Sequence, residues 1–177
     1  MAQKKVLFII AFNGFHQTEY GVPRKILFNA GYDIVTASNK PGVAIAKDGS
    51  SAQINLVLEN VTIADYKGIL FIGGPGTLEN IDTGESYMIA KEAFDANVPL
   101  GAICLATRIL VHSGILKGKK ATGWNGDHKL KEIFDEADCE YIDNEPVVVD
   151  GNIVTAVGPA AAENFANAML KLLETGK

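Results

Sequence analysis

The chain has 177 residues, 47% of them hydrophobic and 21% charged, enough for one domain spanning residues 1–177 and too few for two, with no sign of disorder or a fibrous class. Its net charge of −5 comes from 16 Lys+Arg and 21 Asp+Glu dispersed along the sequence, so it has no basic stripe for a nucleic acid. Only two cysteines occur, Cys104 and Cys139, which argues against a disulfide framework and fits a reducing cytoplasm.

After Met1–Lys5, the apolar run Val6 to Phe12 is too short to cross a bilayer and has no small-residue cleavage site, so it reads as a strand rather than a signal, with no membrane partner expected. Val6 to Ala11 is the first strand. A helical stretch from about Gln17 ends at Asn29-Ala30-Gly31, where Gly31 suits the left-handed stop position. Tyr32 to Ser38 is the second strand. Between residues 39 and 64, Pro41-Gly42 and Asp48-Gly49 punctuate Val43 to Lys47 and Gln53 to Leu58, which predict a small antiparallel excursion.

Lys67 to Ile72 is a core strand bounded by Gly73-Gly74-Pro75-Gly76, Glu85 to Ala96 is a helix, and Val98 to Ile103 re-enters the sheet. Leu105 to Ser113 is a helix stopped by Gly114, Lys117 to Lys120 a solvated turn, Ala121 to Gly123 a short strand and Asp127 to Glu136 a helix. Val147 to Ala156 reads as a hairpin turning at Asp150-Gly151. Pro159 suits the first turn of a last helix, with Phe165, Met169, Leu170 and Leu173 on one face. Apolar runs alternating with amphipathic stretches predict an α/β domain, a flavodoxin-like three-layer sandwich with a mostly parallel sheet.

In such a sheet, ligands bind beyond the carboxyl ends of the strands, where the Gly73–Thr77 and Cys104-Leu105 loops emerge. Ala102-Ile103-Cys104-Leu105-Ala106 has the small flanking residues of a nucleophile elbow. At a helix N-terminus the thiolate of Cys104 is favoured, predicting a depressed pKa, and the amides of Gly74 and Leu105 can hold an oxyanion. The bland alternative is a buried, inert cysteine. Cys139, in Glu136-Ala137-Asp138-Cys139-Glu140, is surrounded by negative charge that raises a thiol pKa, and is given no role.

Glu19, just after the first strand, can point into the same edge as an acid held neutral by burial and a neighbouring thiolate; its alternative is a first-turn acid favoured by the helix dipole. His16, three residues earlier, shares that face if the helix starts early. His112 lies too far along its helix from Cys104. His128 follows a loop able to reach the edge, although a surface histidine at a helix start is the commoner meaning. No His, Cys or carboxylate pair has ligand spacing, so no metal is expected. Gly74-Pro75-Gly76-Thr77-Leu78-Glu79 lacks the third glycine of a dinucleotide fingerprint and the ending of a phosphate loop, which makes it a tight turn.

These residues carry a resemblance. Lys5 to Ala11, Glu19 ahead of Pro23, Phe71-Ile72-Gly73-Gly74, Ala102-Ile103-Cys104, Gly114 to Lys119, Val149 to Thr155 and Gly158-Pro159 together resemble the PfpI family, of class I glutamine amidotransferase-like fold, over nearly the whole chain. That family includes intracellular protease-like, glyoxalase III and deglycase-type proteins and isocyanide hydratases. The resemblance implies that Cys104 is the reactive cysteine, Glu19 its acidic partner, and Gly74 and Leu105 the oxyanion amides. It further implies a homodimer with the site near the subunit interface, and no cofactor. Two positions depart from the pattern. Leu105 stands where the protease-like branch has histidine, which weighs against peptidase activity. Trp124 stands where the deglycase-like branch has one, with His128 four residues on; Trp124 is an apolar wall of the pocket or an ordinary core or interface indole.

Two functions follow as expectations. One is a cysteine-dependent enzyme acting on a small electrophile, with Cys104 as nucleophile and Glu19 as acid and base. The other is a redox sensor in which oxidised Cys104 is held by Glu19 and the helix amides without turnover.

Overall fold

A computed structural model describes residues 4–176; Met1, Ala2, Gln3 and Lys177, counted above within the one domain, lie outside the description. The first strand, β1 (Lys5–Ile9), sits mid-sheet because its side chains alternate between two apolar cores. Val6 and Phe8 face one cluster with Leu27, Phe165 and Met169, while Leu7 and Ile9 face another with Ile89, Ile109 and Phe134.

Next come β2 (Asn13–Phe15), α1 (Gln17–Asn29), β3 (Asp33–Ser38), β4 (Val43–Ala46), β5 (Ser51–Gln53), β6 (Leu56–Val57) and β7 (Gly68–Phe71). Then follow α2 (Thr77–Asn80), α3 (Gly84–Asp95), β8 (Leu100–Ile103), α4 (Thr107–His112), β9 (Lys120–Ala121) and α5 (Leu130–Glu136). The chain closes with β10 (Glu140–Tyr141), β11 (Val147–Asp150), β12 (Ile153–Ala156) and α6 (Ala162–Thr175). Gly31 and Gly114 take φ of +89° and +84° at the ends of α1 and α4, the left-handed stops their positions predicted.

The central sheet runs β11-β12-β8-β7-β1-β3-β6, parallel except for β11 against β12. Helices α1 and α6 supply one core, α3, α4 and α5 the other, giving the expected three layers. Because β1 pairs with β3 on one side and β7 on the other, the chain reverses direction across the sheet there. A crevice opens at such a switch point, beyond the carboxyl ends of the strands.

The region from 39 to 64 differs from expectation. β4 and β5 form the antiparallel pair around Asp48-Gly49, and β2 joins β4 in a small three-stranded sheet. Leu56 and Val57, however, return to the central sheet beside β3. Asn55 makes the switch: its Oδ1 accepts from Thr36 N–H and its own N–H donates to the Thr36 carbonyl, each at 2.8 Å. The strand predicted at Val98 starts only at Leu100, since Pro99 has no N–H to give a ladder.

Phe165 of α6 rests on β8, where a β-carbon at Gly101 would come within 2.8 Å of its Cζ. Phe165→Ala should cost about 3–5 kcal/mol of stability, read from the denaturant midpoint. A loss below about 1 kcal/mol would mean this face of the core tolerates a cavity.

Candidate active site

Three loops meet at the switch point. After β8 the chain turns sharply at Cys104, a residue with φ of +62°, a conformation that costs an L residue on the order of 1–2 kcal/mol. Ala102 and Ala106, both fully buried, give the turn its room, and residues 104–106 form a helical turn leading into α4.

The loop after β7 lies against it. A β-carbon on Gly73 would sit 2.6 Å from Glu19 Oε2, 2.7 Å from Cys104 Cβ and 2.7 Å from the Ile103 carbonyl, so only glycine fits between acid and thiol. Gly74, at φ +138°, is pressed against the backbone of Phe15 and His16 in the same way. His16 N–H donates to the Gly73 carbonyl at 2.8 Å, tying in the loop after β1.

That loop delivers Glu19 from the first turn of α1. Pro23, inside the helix, has no N–H to return to the Glu19 carbonyl four residues back. The Glu19 carboxyl is completely buried, and neither oxygen completes a well-formed hydrogen bond, although the Cys104 thiol and the Gly73 amide are turned toward it. Burial pushes its pKa up from 4.5 to about 7, against the opposing pull of Cys104, Gly73 and Lys47.

The Cys104 thiol departs from expectation: its pKa is raised. Burial is the main cause and the Glu19 charge adds to it, outweighing the Leu105 amide and the more distant Arg108 cation. With the sulfur's residue only 7% exposed, desolvation defeats the helix terminus. Cys139 has the raised pKa expected of it, but with a different main cause: it is buried, and burial leads Asp150 and Glu140 in pushing it up to about 11.

The pocket encloses about 300 Å³. Cys104, Glu19, Gly74, Leu105, His16 and Trp124 all line it, joined by Lys47, Pro75 and Pro159. His16 caps α1, its Nδ1 accepting from Thr18 N–H at 3.2 Å; a neutral ring bonded so carries its proton on Nε2. Burial and Lys47 lower its pKa, so His16 faces the pocket as a hydrogen-bond donor. His128 is not brought in. It is exposed at φ +59° in the turn before α5, because the anchoring of Asn125 to Leu130 N–H and of Asp127 to Arg108 turns it outward. The tight turn at Gly76 is filled by the chain itself: Gly76 N–H and Thr77 N–H donate to the Gly14 and Gly74 carbonyls, leaving no phosphate cradle.

Sequence reading missed Lys47, Pro75, Pro159 and Arg108. Lys47 carried no local signal, and the two prolines were read only as part of a turn and as a helix start. Arg108 did, as a lone charge ahead of Ile109-Leu110-Val111 on a helix. Among the described residues, no group of three or more His, Cys, Asp or Glu side chains is placed to hold a metal ion, and no helix is long and apolar enough to cross a membrane.

A sequence model of the DJ-1/PfpI family matches residues 4–172. The chain belongs to the DJ-1/PfpI family. Among curated DJ-1/PfpI relatives it is 32% identical to a protein named a deglycase from Pyrococcus horikoshii, over 96% of this chain and 99% of that one. The deglycase PfpI of Pyrococcus furiosus matches at the same identity and coverage. Among solved structures, a ThiJ/PfpI domain protein from Brachyspira murdochii superposes with a TM-score of 0.92 at 27% identity, covering 99% of both chains. DJ-1beta of Drosophila melanogaster shares the fold, with a TM-score of 0.82 at 24% identity over 97% of this chain and 89% of that one.

Because the folded pKa of Glu19 lies above its unfolded value, the stability gained from keeping the acid neutral is present below pH 4.5 and lost as pH rises through about 7. Relative to wild type, Glu19→Gln should therefore gain about 3 kcal/mol between pH 4 and pH 8, measured as the difference between urea-unfolding curves. A pH-independent difference would show that Glu19 titrates normally.

Proposed function

We propose that the chain is a cysteine-dependent enzyme acting on small carbonyl electrophiles, in the manner of a deglycase or glyoxalase. The observation that carries this reading is the enforced contact of Glu19 and Cys104 across Gly73, inside a pocket whose remaining walls are mostly apolar. The relatives named deglycases support the substrate class. In this reading Cys104 Sγ adds to the carbonyl carbon, and its proton passes to the ionised Glu19. A base poised near pH 7 takes a proton from a thiol that burial keeps protonated, so bond formation and proton transfer go together. The carbonyl oxygen becomes an alkoxide, held by the Gly74 and Leu105 amides with a hydrogen bond from His16 Nε2–H, and is protonated by Glu19, which took the thiol proton. Glu19 then takes the C1 proton of the adduct of a 2-oxoaldehyde and returns it at C2, which leaves a 2-hydroxy thioester on Cys104, and water hydrolyses that thioester to the 2-hydroxy acid and the free thiol.

A sensor role for Cys104 fits less well, since a thiol held protonated by burial is a poor target for peroxide.

Methylglyoxal consumption tests the proposal. Cys104→Ser should abolish it, and Glu19→Gln should lower kcat/KM by about 10²–10⁴ while binding survives better than turnover. In the wild type the rate should rise through pH 7, as Glu19 ionises, and that rise should vanish in Glu19→Gln. Undiminished turnover in Cys104→Ser, or an unchanged rate in Glu19→Gln, removes the pair from the chemistry.

A further inference from the structure

Trp124 is the only tryptophan in the chain and forms one wall of the pocket beside Cys104. Residues 122–129 belong to no strand or helix, so regular backbone pairing does not fix the indole. Its backbone N–H reaches the Cys104 carbonyl at 3.3 Å, and two further contacts bear on the ring. Gly126 offers bare backbone beneath it, where a β-carbon would lie 2.6 Å from Trp124 Cε2. Arg108 lies over the ring, its guanidinium carbon 5.8 Å from the ring centroid.

Arg108 lies one helical turn beyond Cys104 on α4 and is 5% exposed. Its Nη2 donates to Asp127 Oδ1 at 2.7 Å, while its Nε is sealed from solvent without a partner. Burying a guanidinium with an unfilled donor is unfavourable, and an apolar side chain of similar volume would pack there without that penalty. What the guanidinium adds is a planar, permanently charged group that donates to a carboxylate through one amino group while its carbon lies over an indole, a pair of contacts that lysine's compact, strongly hydrated ammonium matches poorly. The two ends of the loop are thereby tied to the helical segment that starts at Cys104.

We propose that Arg108 is the positioning residue of the pocket, pinning the Trp124–Asp127 loop so that the indole is a rigid wall and only small electrophiles reach the Cys104 sulfur. The inference deepens the functional reading and rests on the pocket being the substrate site, but its test needs no turnover. Because Trp124 is the sole tryptophan, emission excited at wavelengths that tyrosine does not absorb reports on this wall alone.

Arg108→Lys, Arg108→Gln and Asp127→Asn would be compared with wild type for Trp124 emission and for alkylation at Cys104, quantified by peptide mass spectrometry with iodoacetamide and with a bulky aryl maleimide. Loss of the pin should shift emission to the red and raise the ratio of bulky to small reagent rates by about tenfold, the factor equivalent to about 1.4 kcal/mol. Arg108→Lys should not rescue either readout, since charge without the planar group is insufficient. Should Arg108→Gln fail to fold, Asp127→Asn, which alters a half-exposed partner and keeps the guanidinium, carries the test. Wild-type emission and rate ratio in cooperatively melting Asp127→Asn and Arg108→Lys would overturn the proposal, as would changes seen only where cooperative melting is lost. With the pin demonstrated, absent methylglyoxal turnover in the wild type would remove the proposed reaction and leave the positioning role standing.

Discussion

A β-carbon has no room at residue 73. Glu19 Oε2, Cys104 Cβ and the Ile103 carbonyl would each lie within 2.7 Å of it, and this steric fact links the turns after β1, β7 and β8. The glycine lets two side chains from elements far apart in sequence meet at the switch point of the sheet. His16 N–H on the Gly73 carbonyl holds the third loop to the same spot. The left-handed turn at Cys104 is kept by this packing, since the residue's own preferences oppose it.

The same closeness sets the electrostatics. A thiol at the start of a helical segment is expected to ionise easily, but here it shares a buried space with a carboxyl that is itself poorly hydrogen-bonded. Both groups favour their neutral forms, and a proton on Glu19 near pH 7 is a consequence of burial more than of any partner. The arrangement suits proton exchange between acid and sulfur as bonds form better than it suits a standing thiolate. It also explains how a pocket whose lining includes no second imidazole beside His16 has a group of suitable pKa for acid–base work.

The remaining walls set the pocket's polarity. Leu105, Pro75, Pro159 and Trp124 make them apolar, while Lys47, just after β4 of the small sheet, brings a cation to the lining. Position 124, where an imidazole was the family-based expectation, carries instead an indole in contact with Gly126 and with Arg108 over its ring. The departure from the resemblance thus comes with its own supporting contacts, and it replaces a titratable ring with one that does not titrate.

Features that depend on neighbours along the chain were legible in the sequence. The continuous apolar run from Val6 marked a strand, Gly31 and Gly114 marked helix ends, and the alanines two residues either side of Cys104 marked the elbow. Glu19 was placed at the site by its position after the first strand together with the family resemblance. What the tertiary structure alone decided involves groups remote in sequence: the pairing of Asn55 with Thr36 that sends Leu56 and Val57 back to the central sheet, the arrival of Lys47, and the salt bridge from Arg108 to Asp127 that leaves His128 outside. It also reversed the expected shift of the Cys104 thiol, because the helical turn that favours a thiolate is local and visible in the sequence, whereas the depth of burial and the carboxyl facing the sulfur are set by how distant segments pack.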